Sequence, residues 1–148
     1  MKNYFDIALN HLEKVKKAVK EINEKKLMQN FDVDNFENIK TMDTFIFRYI
    51  KLQDYLSAKI FKNFLAYIGE NDEGSFLDIL DRLEKLGFIS SSKEWVKIRH
   101  LRNKIAHEYP GEEEELKNDI FLAIEYLNEI EDSLLKMINY LKEKALYD

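Results

Sequence analysis

Residues 113–144, EEELKNDIFLAIEYLNEIEDSLLKMINYLKEK, contain neither proline nor glycine. Apolar residues recur along this stretch every three or four positions, which is the period of an amphipathic helix. They are Ile120, Ala123, Leu127, Ile130, Leu134, Met137 and Leu141. Glutamates crowd the beginning of the stretch, where the positive end of a helix dipole favours acidic side chains. The stretch therefore predicts one long helix that buries a single stripe.

The same period predicts four more helices upstream of this one. The chain has 148 residues with one proline and four glycines, and so few breakers favour helices over sheets. Residues 30–40 are rich in Asn and Asp, and they predict a connection with a short helical turn. Short connections between five helices predict an all-α antiparallel bundle, with a four-helix core in one domain spanning 1–148. The four upstream helices are predicted at about 3–26, 42–68, 75–86 and 91–108.

Helix start and stop signals define where the two short predicted helices begin and end. Ser75 with Asp78, and Ser91 with Glu94, have the spacing of a capping box. A glycine at position 87 ends the third predicted helix, and the Pro-Gly pair at 110–111 ends the fourth.

Composition excludes several classes of function. The chain has no cysteine, so disulfides, thiolate catalysis and Cys-ligated zinc are ruled out. Residues 1–14 do not resemble a signal peptide, and no apolar run approaches the ~20 residues of a membrane span. We therefore expect a cytoplasmic protein with no membrane association. The net charge of −5 counts mildly against a protein that coats nucleic acid, although basic residues crowd positions 93–104.

Several aromatic residues of the second predicted helix lie off its core stripe of Phe45, Tyr49, Leu52, Leu56, Ile60 and Phe64. Either this helix has a wide core face, or part of its surface contacts a second subunit. The off-stripe residues are Phe47, Tyr55, Phe61 and Tyr67.

The fourth predicted helix departs from a plain amphipathic pattern. Its segment 95–109 reads WVKIRHLRNKIAHEY, with a narrow apolar seam of Ile98, Leu101 and Ile105. At ~100° per residue, polar side chains stack one turn apart on another face, and Arg102 lies at the border of the seam. Those stacked side chains are Arg99, Asn103 and His107.

This set of side chains suits phosphodiester chemistry. A histidine moves protons near neutral pH, and a guanidinium neutralises charge on phosphate oxygens. RNA supplies its own nucleophile through the 2′-hydroxyl, so no metal or other cofactor is needed. The sequence also has no His-Glu-x-x-His spacing that would predict a metal site. Three further cations are candidate RNA contacts: Lys97, Arg99 and Lys104.

Arg102 and His107 do not form a close pair by spacing alone. On an ideal helix, residues five apart point ~140° apart and lie ~7.5 Å apart along the axis. Either His107 lies on a last turn that unwinds before Pro110, or a second subunit completes the site.

The segment Arg102-Asn103-x-x-Ala106-His107-Glu108-Tyr109 resembles the signature of the HEPN superfamily, and Tyr109 makes it most similar to the HepT-like toxin group. The resemblance implies a homodimeric, metal-independent ribonuclease toxin with a shared cleft. His107 would transfer protons, Arg102 would stabilise the phosphate, and Asn103 would orient one of them. A cognate MNT-type nucleotidyltransferase antitoxin would silence the toxin by attaching AMP to Tyr109. His100 departs from the family, where a small residue is common at that position.

Other interpretations stay open. A related branch of the family comprises substrate-binding partners of small nucleotidyltransferases, and a structural helical dimer is a third possibility. His107 would then cap the end of its helix, where a cation is favoured. Arg102 would pair with a surface carboxylate, Tyr109 would pack, and the cations at 93–104 would form a solvated face. We assign no function to His11 from the sequence.

Overall fold

A computed structural model describes residues 1–107 and 112–148, and the all-α bundle predicted from the sequence is confirmed. The helices are α1 (Lys2–Glu24), α2 (Leu27–Asn30), α3 (Phe36–Tyr55), α4 (Phe61–Tyr67), α5 (Phe76–Lys85), α6 (Ser92–Ile105) and α7 (Glu113–Glu143). A π-helical segment, Leu56–Ile60, joins α3 to α4. In this described part of the chain, no helix is long and apolar enough to cross a membrane.

The buried apolar side chains of all the longer helices form one core. Every residue of the predicted stripe on α7 is buried, which confirms that prediction. On α1 the buried residues recur at the same three- and four-residue spacing, and they are Phe5, Ala8, Leu12, Val15, Ala18 and Ile22. Burial of these stripes supplies most of the free energy that favours folding, because each large apolar side chain contributes about 1.5–3 kcal/mol when it is removed from water.

The predicted connection at 30–40 is wrong in its second half. Leu27–Asn30 forms the short helix α2, and α3 already begins at Phe36. The start is set by Asn35, whose side-chain oxygen accepts hydrogen bonds from the backbone N–H groups of Glu37 and Asn38 at 3.0 and 3.2 Å. A cap of this kind satisfies N–H groups that have no partner within the helix.

The second predicted helix is not continuous, because the π-helical segment adds a residue to one of its turns. The neighbours Ile60 and Phe61, at the end of this segment and the start of α4, are both fully buried. Of the off-stripe aromatics, Phe61 thus belongs to the core and Tyr55 is half-buried. Phe47 and Tyr67 remain exposed, at 51% and 42%.

Of the two predicted capping boxes, the one at the start of α5 is complete, and the one at the start of α6 is formed only by its serine. Ser75 accepts from the Asp78 N–H while Asp78 accepts from the Ser75 N–H, so the capping box is reciprocal. Ser91 accepts from the Glu94 N–H at 3.2 Å. The fourth predicted helix is shorter than expected, since α6 ends at Ile105 rather than near 108.

Candidate functional site

A groove of about 620 Å³ lies between α6, the π-helical segment and the turn that precedes α5. The cations Lys62, Arg99 and Arg102 line it together with the carboxylate of Asp54. We call this surface the arginine groove. Its lining residues are Gln53, Asp54, Ser57, Ala58, Lys62, Gly74, Phe76, Ile79, Arg99, Arg102 and Asn103.

Arg102 is held in place by a bidentate ion pair across the groove. Its Nε donates to Asp54 Oδ1 and its Nη2 donates to Asp54 Oδ2, both at 2.8 Å. The hydrogen bond to Asp54 raises the pKa of the Arg102 guanidinium above its already high usual value. A guanidinium carries five N–H donors, so this pair leaves three for another acceptor. Arg102 is therefore oriented before any substrate binds.

Asn103 and Arg99 extend the polar lining of the arginine groove along α6. Arg102 Nη1 lies 3.5 Å from Asn103 Oδ1, at the long end of hydrogen bonding. The Arg99 guanidinium lies 4.4 Å from the centroid of the Phe76 ring. A cation over an aromatic face is attracted by the ring's electrons, which fixes this second guanidinium at the groove wall. The prediction that positions 99 and 103 share a face agrees with their common place in the lining.

His107 lies just beyond the end of α6 and outside the arginine groove. Its side chain is exposed, and its backbone N–H donates to the Lys104 carbonyl at 3.2 Å. The expectation of a helical His107, stacked one turn below Asn103, is thus corrected: the helix ends two residues earlier. The lining of the arginine groove thus includes Arg102 but not His107. Tyr109 lies outside the described residues, as do Glu108, Pro110 and Gly111.

The three predicted RNA-contacting cations divide between two sides of α6. Arg99 lines the arginine groove, whereas Lys97 and Lys104 line a second groove, of about 470 Å³, that α6 forms with α7. His100 lines this second groove too. Lys104 contacts Glu115 at 2.8 Å and Asp119 at 3.1 Å, and hydrogen bonds to these two carboxylates raise its pKa. The charge of Lys104 is therefore already largely neutralised.

Sequence reasoning missed the residues that α3 and its π-helical segment contribute. Asp54 is 48 positions from Arg102, and nothing in the local pattern pairs them. Gln53 is almost fully buried, and its amide donates to the Ser57 hydroxyl at 2.8 Å. The one available signal was the polar pair Gln53-Asp54 between the core residues Leu52 and Leu56. Two polar residues there mark an edge where another element packs.

Within the described residues, no group of three or more histidines or carboxylates is placed to hold a metal ion. Comparison with known proteins matched no family model, no curated protein and no solved structure.

Proposed function

We propose that this protein is a metal-independent endoribonuclease toxin of a toxin–antitoxin pair, located in the cytoplasm and active as a homodimer. The observation that carries the proposal is the orientation of Arg102 by Asp54 in a groove that also presents Arg99 and Asn103. Two fixed guanidiniums and an amide match the charge and the acceptors of a phosphodiester. His107 of the HEPN-like motif lies two residues beyond the end of the helix that carries them.

The chemistry needs only the RNA and the side chains of this site. His107 takes the proton from a 2′-hydroxyl, and the 2′-oxygen attacks the adjacent phosphorus. The bond to the 5′-oxygen breaks, and that oxygen takes a proton from water as it leaves. The products carry a 2′,3′-cyclic phosphate and a 5′-hydroxyl. Arg102 offsets the negative charge that grows on the phosphate oxygens, and its fixed orientation avoids reorganisation during the step.

A second subunit completes this site in our proposal. His107 of a single chain lies outside the arginine groove, so the proton-transfer group has to approach from elsewhere. In a two-fold dimer, the same surface faces itself across the axis. Pairing the C-terminal ends of two α6 helices would place two Arg102 and two His107 side chains around one cleft.

Control of the toxin would act next to the same histidine. In the proposed pair, an MNT-type nucleotidyltransferase antitoxin transfers AMP from ATP to the Tyr109 hydroxyl and releases pyrophosphate. The modification adds a phosphodiester two positions from His107. Its negative charge would compete with the RNA phosphate for the arginines.

A non-catalytic binding partner of a small nucleotidyltransferase is the second candidate. The arginine groove is formed by one chain without His107, so it is suited to hold a nucleotide phosphate without a histidine in its lining. Cleavage activity separates the two candidates.

We expect purified wild-type protein, unmodified by intact mass, to cleave RNA in EDTA. His107→Ala should lose at least about a hundredfold of the cleavage rate, because a general acid–base group contributes about 10²–10⁴-fold. His100→Ala is the matched control, since it removes an exposed histidine of α6 that lines the other groove. Activity retained by His107→Ala would remove that residue from the site. Intact RNA with all three proteins would favour the binding partner.

A further inference from the structure

Aromatic and basic side chains alternate on a surface formed by α1 and α3, away from α6. We call it the α1–α3 face. The chain as a whole carries a net charge of −5, so a cluster of cations stands out against its acidic background. The face consists of Tyr4, His11, Lys14, Phe47, Arg48, Lys51 and Tyr55.

Phe47 is the most exposed aromatic ring of this face, at 51%. The Arg48 guanidinium carbon lies 5.2 Å from its centroid and Lys51 Nζ lies 5.3 Å from it. These contacts place two positive charges over a ring that is still half exposed. An exposed aromatic ring of this kind offers a face on which a planar group can stack.

His11 shows that the cations converge. Its ring packs against Tyr55 with 5.5 Å between centroids. The pKa of His11 is lowered, first by burial and then by the positive charges of Lys14, Arg48 and Lys51. Three cations from two helices thus act on one point of the face.

These cations differ from Arg102 and Lys104 of α6 in having no carboxylate partner. Across the described ranges 1–107 and 112–148, none of the ion pairs includes Lys14, Arg48 or Lys51. Arg102 and Lys104, by contrast, are both paired. The α1–α3 face therefore has positive charge available for a polyanion.

The face continues toward the arginine groove along α3. Phe47, Lys51 and Asp54 are spaced by four and three residues, so their side chains leave the helix on one side. On a regular helix, Phe47 and Asp54 are about 10.5 Å apart along the axis. A strand bound at Phe47 would thus extend to the groove within a few nucleotides.

We propose that the α1–α3 face binds single-stranded RNA next to the scissile phosphate, with one base stacked on Phe47 and backbone phosphates on Lys14, Arg48 and Lys51. The identity of the polyanion as RNA rests on the proposed ribonuclease function. An unpaired strand is favoured over a duplex because only a splayed base exposes a face for stacking. An acidic protein would use the three cations but would leave the open ring without a planar partner.

The test is binding of a fluorescein-labelled 2′-O-methyl oligoribonucleotide to the full chain, followed by fluorescence anisotropy. This probe has no 2′-hydroxyl nucleophile and stays intact whether or not the protein is a nuclease. We expect Phe47→Ala to weaken binding roughly tenfold, as loss of one base–aromatic stack does. Arg48→Gln/Lys51→Gln should weaken it and lower the slope of log affinity against log salt by about 1.4, the value for two lost phosphate contacts.

Two control variants match these changes elsewhere on the surface. Phe121→Ala removes a ring on α7 that is 54% exposed, and Lys17→Gln/Lys20→Gln removes two exposed charges on another part of α1. Both should bind the probe as wild type does. Equal losses in test and control variants would overturn the proposal, and so would absence of binding by wild type.

Two further outcomes would assign the face to another partner. Polyglutamate that displaces the probe as well as unlabelled RNA of equal charge would indicate an acidic protein. A shift from dimer to monomer in Phe47→Ala, measured by sedimentation, would indicate a second copy of the chain. Failure of the ribonuclease proposal would appear in cleavage assays alone, whereas failure of this inference would appear in probe binding.

Discussion

Arg102→Ala is expected to lower RNA cleavage by about 10²–10³-fold while leaving the protein folded. The activity falls because one preorganised donor to the transition state is removed, and such donors are worth about that factor. The fold persists because the Arg102–Asp54 pair is partly exposed, at 26% and 49% of the two side chains. Pairs with this exposure contribute less than about 1 kcal/mol to the free energy of unfolding. Cleavage rates and thermal unfolding of the same samples check both parts.

Two companion variants show whether orientation matters as well as charge. Arg102→Lys keeps the positive charge but loses the bidentate geometry, so most of the cleavage should still be lost. Asp54→Asn keeps one acceptor and should have an intermediate effect. Lys20→Ala, an exposed cation on α1, is the charge control and should cleave normally. Wild-type rates with Arg102→Ala would show that the arginine groove is not the reaction site.

Trp95→Ala is expected to cost about 3–5 kcal/mol of the free energy of unfolding, the largest effect on stability that we anticipate. Trp95 is fully buried, and its ring meets Phe61 edge to face with 4.8 Å between centroids. The contact ties the beginning of α6 to the helix that follows the π-helical segment. In a domain of this size, the melting temperature shifts by about 2–4 °C for each kcal/mol of unfolding free energy. The melting temperature of Trp95→Ala should therefore fall by about 10 °C. Calorimetry or circular dichroism measures it.

The neighbouring Val96 provides the matched control. It is 44% exposed on the same helix, so Val96→Ala should change the free energy of unfolding by less than about 0.5 kcal/mol. Trp95→Phe should cost much less than Trp95→Ala. It keeps an aromatic ring near Phe61 and removes Nε1, which is buried without a hydrogen-bond partner among the described residues. A small loss of unfolding free energy in Trp95→Ala would mean that this residue does not hold α6 against the core.

The fold follows from the sequence where a feature is local and periodic. The α7 stripe has the helical period over many turns, and the caps at Ser75 and Ser91 need only the following few residues. The errors fall where a local signal was weak or misread. Asn35 caps α3 inside a segment whose Asn and Asp content suggested a connection. The π-helical turn leaves no pattern beyond the adjacent apolar residues Ile60 and Phe61.

The candidate site was predictable only in part, because half of it comes from distant residues. Helical spacing placed Arg99 and Asn103 on one face, and both line the groove. The same spacing could not show that Asp54 would pair with Arg102, since that contact depends on how α6 packs on α3. Nor could spacing reveal that Lys104 would form ion pairs with two carboxylates of α7.

The end groups of the RNA products distinguish attack by the 2′-hydroxyl from hydrolysis by water. Wild-type protein would be incubated in EDTA with an RNA of defined sequence, beside the same RNA carrying a 2′-deoxy nucleotide at the cut position. Our account predicts fragments with a 2′,3′-cyclic phosphate and a 5′-hydroxyl by mass spectrometry, and no cut at the 2′-deoxy position. Intact RNA, fragments with a 5′-phosphate, or cleavage of the 2′-deoxy substrate would contradict it.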